Sequence, residues 1–207
     1  KRILLIGPRG ISGHEGGVEK FAEEFVSRIP ERYRVDVLCL HADGKTPDNV
    51  HLLKVPSSHI MKTDKAFYLL FALWYYATRR YDRVLILGMD FGLLIPFFRM
   101  MVWRRAQIYL RSGSVDYTLA KWGGVMRAVM RFSERMMRRA DGLIAVSPSI
   151  QRHIASTGMS AHLVPNGLDK TKNVPLAGRE KNTVIALGRV TEQKNYLTLT
   201  AAAAVLG

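Results

Sequence analysis

Cysteine is almost missing: the 207-residue sequence holds one, Cys39. A single thiol closes no internal bridge, which excludes a disulfide-stapled secreted scaffold and points to the cytosol. Acidic residues are the second scarcity, 17 Asp and Glu against 31 Lys and Arg, for a formal net charge of +14 and a pI near 10.2. Apolar runs are short. The opening run, Ile3–Ile6 after Lys1-Arg2, is too brief for the core of a signal peptide. The longest mostly apolar stretch, Val84–Trp103, is interrupted by Gly88-Met89-Asp90 and carries Pro96 and Arg99. It is therefore expected as a buried strand plus helix, not a membrane span. With 48% hydrophobic and 23% charged residues, wholesale disorder is excluded as well.

What is present begins with the placement of the charge. Residues 61–140 hold 15 basic and 5 acidic side chains, whereas residues 1–60 hold 9 and 8. A basic middle third faces either nucleic acid or an anionic lipid surface.

Strand patterns alternate with helix patterns. Lys1–Gly7, Tyr33–Leu40, His51–Val55, Arg83–Gly88, Gln107–Arg111, Gly142–Val146 and His162–Val164 read as buried parallel strands. Between them, Val18–Ile29 places Val18, Phe21, Ala22, Phe25, Val26 and Ile29 on one helical face. Asp64–Thr78, Phe91–Arg105, Leu119–Arg139 and Ser149–Ser156 are the other expected helices. The pattern predicts an α/β fold with a doubly wound, mostly parallel, Rossmann-like sheet over residues 1–167. Residues 168–182 are polar and without periodicity, as a linker is, and 183–207 begin a second β-α unit with no core of its own. A further domain is therefore expected beyond it.

Three segments could carry chemistry. Gly7–Gly17, GPRGISGHEGG, joins the first strand to the first helix. Its glycines let a ligand approach the backbone, and the helix start offers free N–H groups to a phosphate; a ligand-free flexible loop is the bland alternative. The GxxGxxG formed by Gly7, Gly10 and Gly13 suggests a dinucleotide only weakly, because the helix starts late and no acid closes the second strand. Asp141–Ile154 and His162–Asp169 form a strand, a Ser-Pro helix start and an Asn-Gly turn. Ala186–Asn195 ends a strand in Gly-Arg with Lys194 five residues on, a cation pair suited to a diphosphate leaving group or, more simply, two surface cations.

In this order, GGVEKFAEEF, SPSIQRHI, VPNGLD and GRVTEQKN resemble the retaining glycosyltransferases of family 4, whose fold is the two-domain GT-B architecture. The opening segment and KWGGVMRAVMRFSERMMRRADGLIAVS are most similar to a bacterial rhamnosyltransferase-like group. The resemblance spans nearly the whole chain and is strongest over 1–30, 119–169 and 184–197. It implies that residues 1–167 form the acceptor-side domain and that 183–207 open the donor-binding domain. By motif match, Arg189 and Lys194 would hold the nucleotide-sugar diphosphate, with Gly16 and Gly17 against the same phosphates. His14, Glu15 and Asp116 are the catalytic candidates, with no metal and no cofactor. The group carries an Asp-Gly-x-Glu-Trp run where this sequence has SGSVDY, so that Gly113 replaces its first acid and Asp116-Tyr117 stand for the Glu-Trp.

The expected function is transfer of a sugar, hexosyl or rhamnosyl, from a nucleotide-diphosphate sugar to a glycan or polyprenyl-linked acceptor in bacterial polysaccharide synthesis. The 207 residues alone are expected to be inactive. The competing readings are a nucleotide-dependent epimerase or dehydrogenase and a nucleic-acid-binding module. Against the latter, the basic helix sets Met126, Met130, Phe132 and Met137 beside its arginines, a mixture suited to lipid. Arg127, Arg131 and Arg135 fall on one helical stripe. Docking on an anionic membrane through residues 61–140, at the cytoplasmic face, is therefore expected.

Overall fold

The computed structural model describes residues 1–11, 16–41, 45–56, 64–101, 103, 105–114, 123–167, 185, 186, 188 and 195–206. The chain divides into two compact units, Lys1–Gly167 and Leu168–Gly207. In the second, the described helix is Tyr196–Leu206, here α6.

The first unit is built on seven described strands: β1 (Arg2–Ile6), β2 (Arg34–Cys39), β3 (Val50–Lys54), β4 (Arg83–Leu87), β5 (Gln107–Ser112), β6 (Gly142–Ala145) and β7 (His162–Leu163). They lie in the order β3-β2-β1-β4-β5-β6-β7, and every neighbouring pair is parallel. The order reverses between β1 and β4, which is where an open parallel sheet leaves a crevice at its carboxyl edge.

Successive side chains of a strand point to opposite faces, and β1 divides accordingly. Ile3 and Leu5 join Val35, Val37, Ala22 and Val26 on one face. Leu4 and Ile6 join Tyr68, Ala72, Ile86, Leu94 and Ile108 on the other. The first face is covered by α1 (Gly17–Arg28), and the second face carries residues of α2 (Asp64–Thr78), α3 (Leu94–Met100) and α5 (Pro148–Ser156) in its core. Apolar cover on both faces explains why the strands are nearly continuous apolar runs. α5 starts where Ser-Pro predicted: Ser147 Oγ accepts from Ile150 N at 3.3 Å, with Pro148 at the first helical position.

Two helices differ from expectation. The region expected as a helix over Phe91–Arg105 is a 3-10 segment, Met89–Leu93, followed by the short α3. Pro96 is tolerated there because it falls in the first turn, where its missing N–H costs nothing. α4 runs over Gly124–Met136, followed by a 3-10 turn at Met137–Arg139. Gly123 is its extended N-cap, so the helix does not continue back through 123, and residues 119–122 lie outside the described ones. Met130, assigned above to the exposed apolar surface of this helix, is buried. Met137, counted with it, is buried too, whereas Val125 is 82% exposed and Phe132 52%, with Met126 and Val129 also exposed.

Candidate functional site

The carboxyl edge between β1 and β4 is set by two glycines. Gly7, after β1, has φ +129°, and a Cβ there would stand 2.4 Å from the Leu87 carbonyl oxygen. Gly88, after β4, has φ +114°. L-residues rarely adopt either conformation, and at Gly7 the neighbouring strand leaves no room for a side chain.

The segment leaving β1 is fastened at both ends. The Gly7 N–H donates to the Tyr68 hydroxyl at 2.7 Å, and that hydroxyl donates to the Leu38 carbonyl at 2.5 Å. Burial pushes the Tyr68 phenol well above its ordinary pKa, so it stays a neutral donor and acceptor. Further along, the Arg9 carbonyl accepts from Leu40 N at 2.9 Å and His41 N at 2.8 Å. The glycine-rich segment therefore departs from the end of β2, not from free solvent.

It arrives at α1. Gly16 is the N-cap with extended backbone, and the helix start has no side-chain cap. Gly17 is exposed, and a Cβ there would meet nothing within 4 Å. A helix start carries a partial positive charge, and here the Glu19 carboxylate of the first turn lies beside Gly16 and accepts from Arg9 N at 3.3 Å.

On the far side of the crevice, Arg111 near the end of β5 is buried. Its guanidinium lies 3.8 Å from the centre of the Phe21 ring, on the second turn of α1. It also donates to the side-chain oxygen of Asn166, in the segment after β7. Burial lowers its pKa from the usual guanidinium value.

Of the residues assigned from sequence, Gly16 and Gly17 are at this edge. His14, Glu15, Asp116, Arg189 and Lys194 lie outside the described residues. Sequence reading missed Tyr68 and Arg111. An arginine closing an otherwise apolar strand was the available signal for Arg111, whereas Tyr68 is one of several aromatics on α2 and nothing in the sequence separates it from them.

A helix N-terminus, a glycine turn and a buried cation thus lie at the carboxyl edge of an open parallel α/β sheet. The model of Glycosyltransferase Family 4 matches residues 15–172, and the chain belongs to that family. No curated protein matches the sequence significantly. Among solved structures, the chain is similar to sucrose-phosphate synthase from Thermosynechococcus elongatus, with TM-score 0.62, 16% identity, and coverage of 81% of this chain and 48% of that one. It is also similar to the apo form of the lipopolysaccharide outer core galactosyltransferase WaaB, with TM-score 0.58, 17% identity and coverage of 88% and 50%. A third is Anabaena Alr3699/HepE in complex with UDP and glucose, with TM-score 0.53, 15% identity and coverage of 81% and 45%. These likenesses are of fold: the sheet is that of a GT-B Rossmann-like domain. The chain spans about half the length of each of these three structures.

Proposed function

We propose that this chain is the acceptor-side part of a retaining glycosyltransferase that moves a hexosyl or rhamnosyl unit from a nucleotide-diphosphate sugar to a glycan or polyprenyl-linked acceptor. The observation that carries it is the uncapped start of α1, reached from the positive-φ turn at Gly7, at the crevice of a chain of this family. A diphosphate whose charge grows as the leaving group departs is matched by preorganised N–H donors and fixed cations. Gly16, Gly17, Arg189 and Lys194 would hold it, with His14, Glu15 and Asp116 near the reacting carbons. Catalysis would consist mostly of positioning and leaving-group stabilisation. The UDP and glucose held by HepE support a nucleotide-sugar donor.

The setting we propose is the cytoplasmic face of a bacterial membrane, in polysaccharide synthesis. Among the described residues no helix is long and apolar enough to cross a membrane. The support for peripheral docking is the exposed composition of residues 61–140, which includes Trp74, Trp103, Val125 and Phe132 as well as Arg131, Arg135 and Arg138. A surface of apolar side chains among cations fits an anionic headgroup boundary.

The experiment is a thermal-shift panel of UDP-, GDP- and dTDP-sugars on a protein extended past Gly207, followed by a transfer assay with the donor that stabilises it. One nucleotide class is expected to raise the melting temperature by mass action, and NMR of the product should show the donor's anomeric configuration kept. No shift with any donor, and no transfer, would refute the proposal; an inverted anomer would refute the retaining step alone.

A further inference from the structure

Arg111 is 4% exposed, and every ion pair among the described residues lies elsewhere. Its Nε is buried and has no hydrogen-bond partner. Its polar contact is the one to the neutral Asn166 side chain. Desolvating a cation without a counter-ion is costly, and a mere strut between β5 and α1 would need no charge. The residue it bonds is nevertheless at the surface of the unit. Asn166 is exposed, as are Gly16 and Gly17 at the α1 start and Gly113 and Ser114 just after β5. Phe21 stacks on its plane from the second turn of α1, so the uncapped N–H groups of the first turn lie one turn away.

We propose that Arg111 is a phosphate-binding residue of this edge. The Phe21 ring and the Asn166 carbonyl fix the guanidinium plane, and the unbonded Nε is a donor left for an anion. Guanidinium binds phosphate through paired N–H donors, with more geometric definition than an ammonium. The missing counter-ion is the substrate's own. Two substrates of the proposed reaction carry such a group, the nucleotide-diphosphate donor and a polyprenyl-phosphate acceptor. Naming them rests on the function proposed above, whereas phosphate binding itself does not.

The test is calorimetric titration of the 207-residue chain with inorganic pyrophosphate, for the parent, Arg111→Gln and Asn166→Asp, with a urea melt of each. Asn166→Asp keeps the side-chain shape and supplies an internal carboxylate, so it should neutralise Arg111 without unfolding the protein. Both variants are expected to weaken pyrophosphate binding by about tenfold or more, the scale of a charge-assisted hydrogen bond. Arg111→Lys should recover part of the loss. Repeating the titration with UDP, GDP and dTDP, and with farnesyl phosphate, separates the sources. Loss confined to the nucleotides assigns the donor, and loss confined to farnesyl phosphate assigns the acceptor. No pyrophosphate binding by the parent, or unchanged binding in a folded Asn166→Asp variant, would overturn the proposal. Sugar transfer by the extended protein with anion binding indifferent to both changes would leave the glycosyltransferase reading standing and remove Arg111 from it.

Discussion

The Tyr68 hydroxyl on α2 accepts the backbone N–H of Gly7 at 2.7 Å, across 61 residues of sequence. Through its second bond, to the Leu38 carbonyl, one buried side chain ties the ends of β1 and β2 together where the glycine-rich segment departs. Tyr68→Phe keeps the ring and leaves a buried N–H and a buried carbonyl each short of a partner. A loss of about 1–3 kcal/mol is expected in urea unfolding at neutral pH. Tyr109→Phe, which removes only a 3.4 Å contact to Gln107, should be close to neutral. Equal effects of the two would refute the tie.

Alkaline pH should act on the same hydroxyl and on Tyr81. Burial is the largest cause of the raised pKa in both, and the Asp36 carboxylate adds to it for Tyr81. A folded-state pKa above the unfolded value of about 10 gives a contribution fully present below that pH. Above it the unfolded chain releases protons that the folded chain retains, so stability falls as pH rises. Urea midpoints should be level between pH 8 and 9 on this account and decline above about pH 10. Tyr68→Phe and Tyr81→Phe should each make the decline shallower. A decline unchanged in both variants would assign it to other groups.

Asp36 carries the densest charge network described. Its buried Oδ2 receives Arg2 at 2.7 Å, Arg79 at 3.1 Å and the Tyr81 hydroxyl at 2.7 Å. Arg2 opens β1, Arg79 follows α2 and Tyr81 precedes β4, so the carboxylate joins three elements on the side away from the crevice. Asp36→Ala strands two cations and a hydroxyl, and about 3–5 kcal/mol of destabilisation is expected. Asp36→Asn retains an acceptor and should cost less. A change under about 1 kcal/mol for Asp36→Ala would mean that water replaces the carboxylate without penalty.

In an extended protein, Arg189→Ala or Lys194→Ala should lower sugar transfer by about 10²-fold or more, the scale for removing a group that stabilises a leaving charge. Alanine at Lys170 and Lys172 should leave transfer nearly unchanged. Steady-state rates decide it, and similar losses in the two pairs would dismiss the diphosphate assignment.

Co-sedimentation with vesicles tests the outer face of α4. Binding to anionic vesicles should exceed binding to zwitterionic ones, weaken with salt, and drop in an Arg127/Arg131/Arg135→Glu variant, since each cation near such a surface contributes about 1 kcal/mol. Phe132→Ser should lower it further if the ring enters the interface. Indifference to vesicle charge would count against docking through this helix.

The strands were legible because parallel strands buried on both faces leave nearly unbroken apolar runs, and Arg2–Ile6 and Arg83–Leu87 need no further signal. Helix ends were less so. Gly123 stops α4 at a position where the basic and apolar pattern continues upstream, and Met130 turns inward although its sequence neighbours face solvent. That difference depends on which side of the helix meets the 3-10 segment at Met89–Leu93: the Ser133 hydroxyl donates to the Met89 carbonyl at 2.6 Å, a pairing across 44 residues. The site was legible where glycines mark a turn, at Gly7 and Gly16-Gly17. Arg111 and Asn166, 55 residues apart, meet only through the strand order, which no local pattern encodes.

That strand order also sets a timetable. β1 lies between β2 and β4, so during synthesis one of its edges stays open until Leu87 has left the ribosome. Parallel neighbours cannot be joined by a hairpin, and each pairing waits for a crossover to close. A chain cut before Arg83 would hold three paired strands with an apolar edge, Ile3 to Ile6, facing solvent. Such an edge recruits other copies. The end of β3 is thus not a stopping point for folding, and nascent chains paused between it and β4 are the ones expected to need a chaperone.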